Sequence, residues 1–161
     1  MLTATMPRLL IATKNAHKAQ EIRAILGSDW DVTDLNAHPE VPAPEETGAT
    51  FADNAAIKAV VASQLFPGYV LSDDSGLEVD ALGGAPGVIS ARYAGPGATD
   101  ADNRARLLRE LAADSVRGKS RSARFRCVMC VARDGPVLET FDGAVAAVII
   151  NHDHADDGCG C

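Results

Sequence analysis

The chain has 161 residues, 47% of them hydrophobic and 23% charged, a composition typical of one globular domain and not of a disordered or fibrous protein. Its formal net charge of −7 argues against a general nucleic-acid or membrane-surface binder, since either would need a basic excess. A small anionic ligand is compatible with this charge, because a few local cations and backbone N–H groups can bind one. The sequence shows no membrane-spanning run and no signal-peptide pattern, so we expect a cytoplasmic protein.

The first predicted elements are a strand and a helix joined by a polar turn. Residues 8–13 form a short apolar run, and apolar residues at helix spacing follow as far as Gly27. The turn between them consists of Thr13, Lys14, Asn15, Ala16, His17 and Lys18. Because a helix N-terminus has unpaired N–H groups and a dipole that favours anions, this turn is a candidate anion site. Taken alone, it is slightly better explained as an exposed connection with ordinary surface lysines.

A second strand and a stiff loop are predicted next. Residues 30–35 alternate as a strand does, and residues 38–44 hold three prolines, which favour an extended loop. The loop ends at Glu45 and Glu46, just before a glycine turn. The loop end thus places carboxylates at a turn.

The second predicted helix carries two polar residues of interest. Thr50 is a suitable cap, and the helical pattern continues to about Gln64. Asn54 and Lys58 are four residues apart, so they share one face and can approach the same ligand. A solvated polar stripe is the alternative interpretation.

The most informative stretch follows the apolar run that ends at Leu71. It delivers two adjacent carboxylates, Asp73 and Asp74, and the Ser75 hydroxyl to a predicted glycine turn at Gly76. Strand ends present polar groups at the edge of a sheet, where ligands bind. Oxygen ligands of this kind suit Mg²⁺ or Mn²⁺ better than zinc. A solvated turn is the alternative, since Asp, Ser and Gly all favour turns.

The second half of the chain is predicted to hold a helix and several strands. Thr99 caps a helix that ends near Ala112. Asp134 and Gly135 are the predicted turn of a hairpin. The predicted extended segments cover residues 77–82, 123–132, 136–141 and 144–150.

Cys127 and Cys130 have the spacing of a redox or zinc C-x-x-C motif. They lie in a predicted strand, where residues three apart face opposite sides of the sheet. We therefore interpret them as small hydrophobic side chains.

Five motifs in series closely resemble the inosine triphosphate pyrophosphatase family. They cover residues 13–18, 45–55, 73–77, 83–87 and 90–93. The resemblance continues more loosely to about Val148. It implies an elongated, two-lobed α/β domain over residues 1–150, with a central curved mixed sheet flanked by helices and an active-site cleft between the lobes. Members of the family are usually homodimers.

The resemblance also implies a reaction. Family members hydrolyse ITP, dITP and XTP to the monophosphate and pyrophosphate with Mg²⁺, which removes deaminated purines from the nucleotide pool. Carried over by position, the turn from Thr13 to Lys18 would hold the triphosphate and Ser75 would contact the substrate.

The metal and the proton acceptor follow from the same resemblance. Glu46 and Asp74 would bind Mg²⁺, with Asp73 assisting, and Asp74 would also accept the proton. Asn54 and Lys58 would be supporting polar groups. A pyrophosphatase for other modified nucleotides is the nearest alternative.

Residues 151–161 depart from the family pattern. The family continues with a Phe-Gly-Tyr-Asp segment, a lysine and a Ser-His-Arg motif that recognise the purine and help hold the phosphates. We therefore expect an incomplete C-terminal part, with weak activity and poor base selectivity. Two alternatives are a non-catalytic remnant that binds nucleotide or a partner chain, and a zinc clip in this tail. The clip would use His152, His154, Cys159 and Cys161.

Overall fold

The computed structural model describes residues 6–113, 116 and 119–150. The tail of residues 151–161, and with it the proposed zinc clip, lies outside the described residues. The helices and strands are β1 (Arg8–Ile11), α1 (Ala16–Leu26), β2 (Asp31–Asp34), α2 (Phe51–Ser63), β3 (Tyr69–Val79), α3 (Asp100–Ala112), β4 (Ser122–Arg133) and β5 (Val137–Val148).

Five strands form one mixed sheet in the order β2-β1-β3-β4-β5. β1 pairs in parallel with both β2 and β3, so that Leu10 lies beside Thr33 on one side and Val70 on the other. Parallel neighbours need a crossover connection, and α1 and α2 lie in the two connections here. The predicted α/β fold with a mixed sheet flanked by helices is confirmed.

The chain divides into two compact units. The first comprises Met1–Asp74 and Cys127–Asp142, and the second comprises Ser75–Arg126 and Gly143–Cys161. They are called unit 1 and unit 2 below.

In unit 1, β1 is buried on both faces. Leu10 packs with Val70 and with Ala62 of α2, whereas the next residue, Ile11, packs with Ala19 of α1. Successive side chains of a strand point to opposite faces, so each helix covers one side of β1. This explains why β1 is a continuous apolar run and not an alternating one.

Unit 2 has its own core around α3. Leu107 and Leu111, one helical turn apart, pack with Val79, Tyr93 and Ala123. Their spacing places them on one face of α3, which agrees with the apolar periodicity in the sequence.

α2 and α3 begin where the sequence predicts, whereas α1 begins at Ala16, inside the predicted turn. Thr50 and Thr99 each form a capping box with the aspartate three residues later. The hairpin turn is also confirmed, since Asp134 and Gly135 have φ values of 56° and 107°. In the described part of the chain, no helix is both long enough and apolar enough to cross a membrane.

Two strands run further than the sequence predicts. The expected turn at Gly76 is wrong, because β3 continues to Val79 with buried residues alternating along it. The expected break between residues 141 and 144 is also wrong, since β5 is continuous. Neither Gly76 nor Gly143 has a positive φ, so both glycines keep an extended backbone.

Candidate functional site

The candidate site is built on the first two turns of α2. The Thr50 hydroxyl accepts a hydrogen bond from the Asp53 N–H at 3.1 Å, and the Asp53 carboxylate accepts one from the Thr50 N–H at 3.1 Å. This box satisfies N–H groups that would otherwise lack partners and fixes where the helix begins. Asn54 and Lys58 follow on one face of the helix, and both lie near Asp74. Their predicted common face is confirmed.

Asn54 connects two separate segments of unit 1. Its Oδ1 accepts a hydrogen bond from the Gly48 N–H at 2.7 Å, and its Nδ2 donates to Asp74 Oδ2 at 2.9 Å. The residue is 0% exposed, so losing either bond would leave a buried polar group without its partner. Asn54 therefore holds the loop that carries Glu46 against the strand that carries Asp74.

Gly48 makes this approach possible, a role that sequence reasoning missed. A Cβ at this position would lie 2.5 Å from Asp53 Cβ and 2.7 Å from Asn54 Oδ1. The sequence shows only a glycine after two carboxylates, which indicates a turn. Its φ is not positive, so the requirement for glycine here comes from close packing against α2.

Lys58 links two carboxylates that are distant in sequence. Its Nζ donates to Glu46 Oε1 at 2.8 Å and lies 3.9 Å from Asp74 Oδ1. The Lys58 side chain is 16% exposed and that of Asp74 is 9% exposed. The two predicted metal ligands, Glu46 and Asp74, are thus brought to one cationic group.

The donor set fits a hard divalent cation. Glu46 and Asp74 offer only oxygen, which Mg²⁺ prefers. Within residues 6–113, 116 and 119–150, no group of three His, Cys, Asp or Glu side chains is arranged to hold a metal ion. Mg²⁺ is usually held by one or two carboxylates together with water and phosphate oxygens, so two carboxylates are sufficient protein ligands.

Asp73 lies on the opposite face of β3 from Asp74. Because side chains alternate along a strand, adjacent residues cannot both face α2. Asp73 instead accepts a hydrogen bond from the Lys18 ammonium on α1, at 2.6 Å. That Asp73 assists Glu46 and Asp74 in binding the metal remains a prediction. So does the substrate contact of Ser75, which is the first residue of unit 2.

The turn before α1 is held by its own side chains. Asn15 caps the helix, and its Oδ1 accepts hydrogen bonds from the N–H groups of His17 and Lys18 at 3.0 and 3.3 Å. The Thr13 hydroxyl accepts a bond from the Asn15 N–H at 3.1 Å. Two amides at the helix N-terminus are therefore already bonded, so an anion here would depend mainly on the helix dipole and on Lys14. Triphosphate binding by this turn remains a prediction.

A cavity of about 280 Å³ is lined in part by Glu46 and Lys58. One part of its wall is polar and another part is apolar. The lining residues are Ala12, Thr13, Lys14, Leu35, Pro42, Ala43, Pro44, Glu46, Lys58 and Ala62. The sequence predicts a stiff loop over residues 38–44 but gives no signal that its prolines form a cavity wall.

The two cysteines of β4 do not form a reactive pair. Cys130 is buried and packs with Ala55 and Ala132, which confirms its interpretation as a small hydrophobic residue. Cys127 is half-buried. Burial raises the pKa of both thiols, and the nearby Asp73 carboxylate raises the pKa of Cys127 further. A raised pKa keeps a thiol protonated and therefore weakly nucleophilic.

Known proteins match the chain over most of its length. The model of the Ham1 family matches residues 9–160. A dITP/XTP pyrophosphatase of Streptococcus pneumoniae is 53% identical over 125 residues, which span 77% of this chain and 62% of that protein. One from Geobacillus kaustophilus is 49% identical over 146 residues, which span 88% of this chain and 71% of that protein. The chain spans 47% of the length of a similar protein from Streptococcus thermophilus, about half.

Solved structures have the same fold. A HAM1 protein from Coxiella burnetii superposes with a TM-score of 0.86 at 34% identity, over 95% of this chain and 78% of that one. The Ham1 protein of Staphylococcus aureus gives a TM-score of 0.80 at 35% identity, over 89% of this chain and 72% of that one. These matches confirm the resemblance that the five sequence motifs indicate, and the chain belongs to the Ham1 family.

Proposed function

We propose that the chain hydrolyses ITP, dITP and XTP to the nucleoside monophosphate and pyrophosphate. The observation that carries this proposal is the meeting of Glu46, Asn54, Lys58 and Asp74, which come from a loop, a helix and a strand, next to a cavity. The names of two relatives that are 53% and 49% identical, both dITP/XTP pyrophosphatases, support the same reaction and substrate class.

Mg²⁺ is the cofactor in this proposal. Glu46 and Asp74 would hold it, because their oxygen atoms suit a hard cation and both already lie against one positive charge. When bound, the ion would supply charge neutralisation at the phosphates and lower the pKa of a water molecule.

Asp74 is the proposed proton acceptor. One of its oxygens, Oδ2, accepts the hydrogen bond from Asn54, which fixes the orientation of the carboxylate. A carboxylate held in this way can take a proton from an attacking water molecule. Asn54 is then a positioning residue, since it acts by orienting Asp74.

The lysines supply positive charge for the triphosphate. Lys14 and Lys58 line the cavity, and Lys18 lies at the start of α1. Charge-assisted hydrogen bonds from ammonium groups to phosphate oxygens are among the stronger hydrogen bonds in proteins. We propose that these lysines stabilise the negative charge that develops during attack at phosphorus.

Pyrophosphate release tests the proposal directly. The purified chain would be incubated with dITP, XTP and dATP, each with Mg²⁺ and with a chelator. We expect release from dITP and XTP that stops when the metal is removed. Binding of all three nucleotides without turnover would contradict the proposal and favour a non-catalytic nucleotide-binding protein. Faster turnover of another modified nucleotide would favour the alternative pyrophosphatase.

A homodimer in the cytoplasm is a further part of the proposal. It follows from the family resemblance and from the sequence pattern. Light scattering on the purified chain would test the assembly, with a mass twice that of the monomer as the expected result. Fractionation of the source cells would test the location.

A further inference from the structure

We propose that Lys58 is a placeholder cation, which occupies the position of the divalent ion until that ion binds. In this inference, the ammonium group holds Glu46 and Asp74 together in the metal-free protein and competes with the metal for them. The inference rests on the proposed function, because it assigns an ion to the same two carboxylates.

The contacts of Lys58 are those of a bound cation. Its Nζ lies 2.8 Å from a Glu46 oxygen and 3.9 Å from an Asp74 oxygen. The side chains of Lys58, Glu46 and Asp74 are 16%, 32% and 9% exposed, so water screens their charges only in part. Two carboxylates in such surroundings repel each other, and a nearby positive charge offsets that repulsion.

Other lysines near the site are placed differently. Lys18 pairs with Asp73, on the opposite face of β3. Lys14 lines the same cavity as Lys58, but within the described ranges its ammonium forms no ion pair. Lys14 is therefore a natural control, since its removal takes the same charge from the same cavity.

In this inference, metal binding releases Lys58 from at least one carboxylate. The freed ammonium would remain at the cavity wall, where an anionic ligand such as a phosphate group could bind it. An anion that attracts Lys58 would in turn leave the carboxylates to the metal, so the two ligands should favour each other's binding. Lys58 would thereby contact the two carboxylates in the metal-free protein and the anionic ligand in the metal-bound protein.

The test measures metal affinity without nucleotide. Mn²⁺ would be titrated into the wild-type chain, Lys58→Met and Lys14→Met, and free Mn²⁺ would be followed by electron paramagnetic resonance. Methionine keeps the unbranched stem of lysine and removes the charge. We expect Lys58→Met to bind Mn²⁺ about three- to tenfold more tightly than the wild type, the range for losing one partly buried competing ion pair. Lys14→Met should change the Mn²⁺ affinity by less than about twofold, because salt screens the interaction between the Lys14 charge and the two carboxylates.

The sign of the change separates competition from damage to the fold. A variant with a disturbed site would lose affinity, whereas loss of a competitor raises it. Equal or weaker Mn²⁺ binding by Lys58→Met would overturn the inference, even if dITP hydrolysis and Mn²⁺ binding by the wild type uphold the proposed function. No Mn²⁺ binding by any of the three proteins would overturn the metal part of the proposed function and this inference with it.

A second measurement follows Lys58 itself in the wild-type chain. Lysines labelled with ¹³C-methyl groups give separate resonances, and Lys58 can be identified as the signal missing from Lys58→Arg. We expect this resonance to move when the wild-type chain is saturated with Mg²⁺, while that of Lys119, an exposed residue of unit 2, stays in place. A Lys58 resonance unmoved by bound Mg²⁺ would overturn the inference.

Discussion

Units 1 and 2 both contain clusters of charged side chains, but the two clusters differ in how firmly each charged group is held by its contacts. In unit 2, the Tyr93 hydroxyl donates to the Glu110 carboxylate, and Arg106 donates to the other oxygen of Glu110 at 2.7 Å. The Arg106 guanidinium also lies 4.4 Å from the centre of the Tyr93 ring. Each group is thus held by directional contacts on two sides, which suits a structural role.

The cluster of unit 1 is held by point charges next to a cavity. The Lys58 ammonium reaches two carboxylates, and no planar fork or aromatic ring fixes its direction among the contacts that the structure describes. An ammonium can exchange one oxygen partner for another with little change in geometry. The proposed functional cluster therefore differs from the structural cluster in how easily its charged groups can exchange partners, and not in its number of charges.

The largest expected effect is loss of turnover on changing Asp74. We expect Asp74→Asn to lower the rate of pyrophosphate release from dITP by at least about 100-fold, because the variant lacks the proposed metal ligand and proton acceptor. The amide is nearly the same size, and its oxygen can still accept the bond from Asn54. Asp80→Asn is the matched control in unit 2, where Asp80 accepts from Arg124 at 3.0 Å. A rate for Asp74→Asn within twofold of this control would remove Asp74 from the reaction.

Gly48 offers a sharper test of how unit 1 is assembled. We expect Gly48→Ala to lower the free energy of unfolding by about 1 to 3 kcal/mol, because the added methyl group must displace Asp53 or Asn54. Turnover of dITP should fall as well, since Asn54 orients Asp74. Gly143→Ala is the control, because an added Cβ there has no atom within 4 Å. Urea unfolding of both variants measures the difference, and equal stabilities would show that the loop packs less closely against α2.

The directional cluster of unit 2 should matter for stability and not for turnover. Tyr93→Phe removes a hydrogen bond to an ionised carboxylate, and we expect a loss of about 1.5 kcal/mol in the free energy of unfolding at neutral pH. The rate of dITP hydrolysis should stay within about twofold of the wild type. A large loss of turnover at unchanged stability would contradict the structural role of Tyr93.

The same cluster predicts a pH dependence. Burial, together with the Glu110 carboxylate, raises the pKa of Tyr93 to about 12 in the folded chain. In the unfolded chain its pKa is near 10, so the folded state keeps this proton more tightly. The resulting stability is fully present below about pH 10 and is lost as the pH rises toward 12. Urea unfolding at pH 8 and about pH 11 should show a steeper loss for the wild type than for Tyr93→Phe.

Local signals in the sequence were sufficient for much of the fold. The caps at Thr50 and Thr99 and the hairpin turn at Asp134 depend on a few neighbouring residues, and all three were predictable. The path of β3 was not. Asp, Ser and Gly favour turns locally, but pairing with neighbouring strands overrode that preference between residues 72 and 76.

The same limit applies to the site. The motifs and the helical spacing identified Glu46, Asn54, Lys58 and Asp74, but not which side chain contacts which. That pairing depends on the alternation of side chains along β3, and the sequence predicts that this strand ends too early. A turn would let Asp73 and Asp74 act side by side, whereas a strand sends them to opposite faces.

The smallest expected effects come from the two capping boxes, which are chemically alike but begin different helices. Thr50→Ala and Thr99→Ala each remove one cap, and each should lower the free energy of unfolding by about 1 kcal/mol. Only Thr50→Ala should also lower turnover of dITP, because α2 carries Asn54 and Lys58 while α3 contributes to the core of unit 2. Thermal unfolding and initial rates, measured on both variants, separate the two effects. Equal losses of turnover would mean that activity follows overall stability, and the functional distinction between the two clusters would fail.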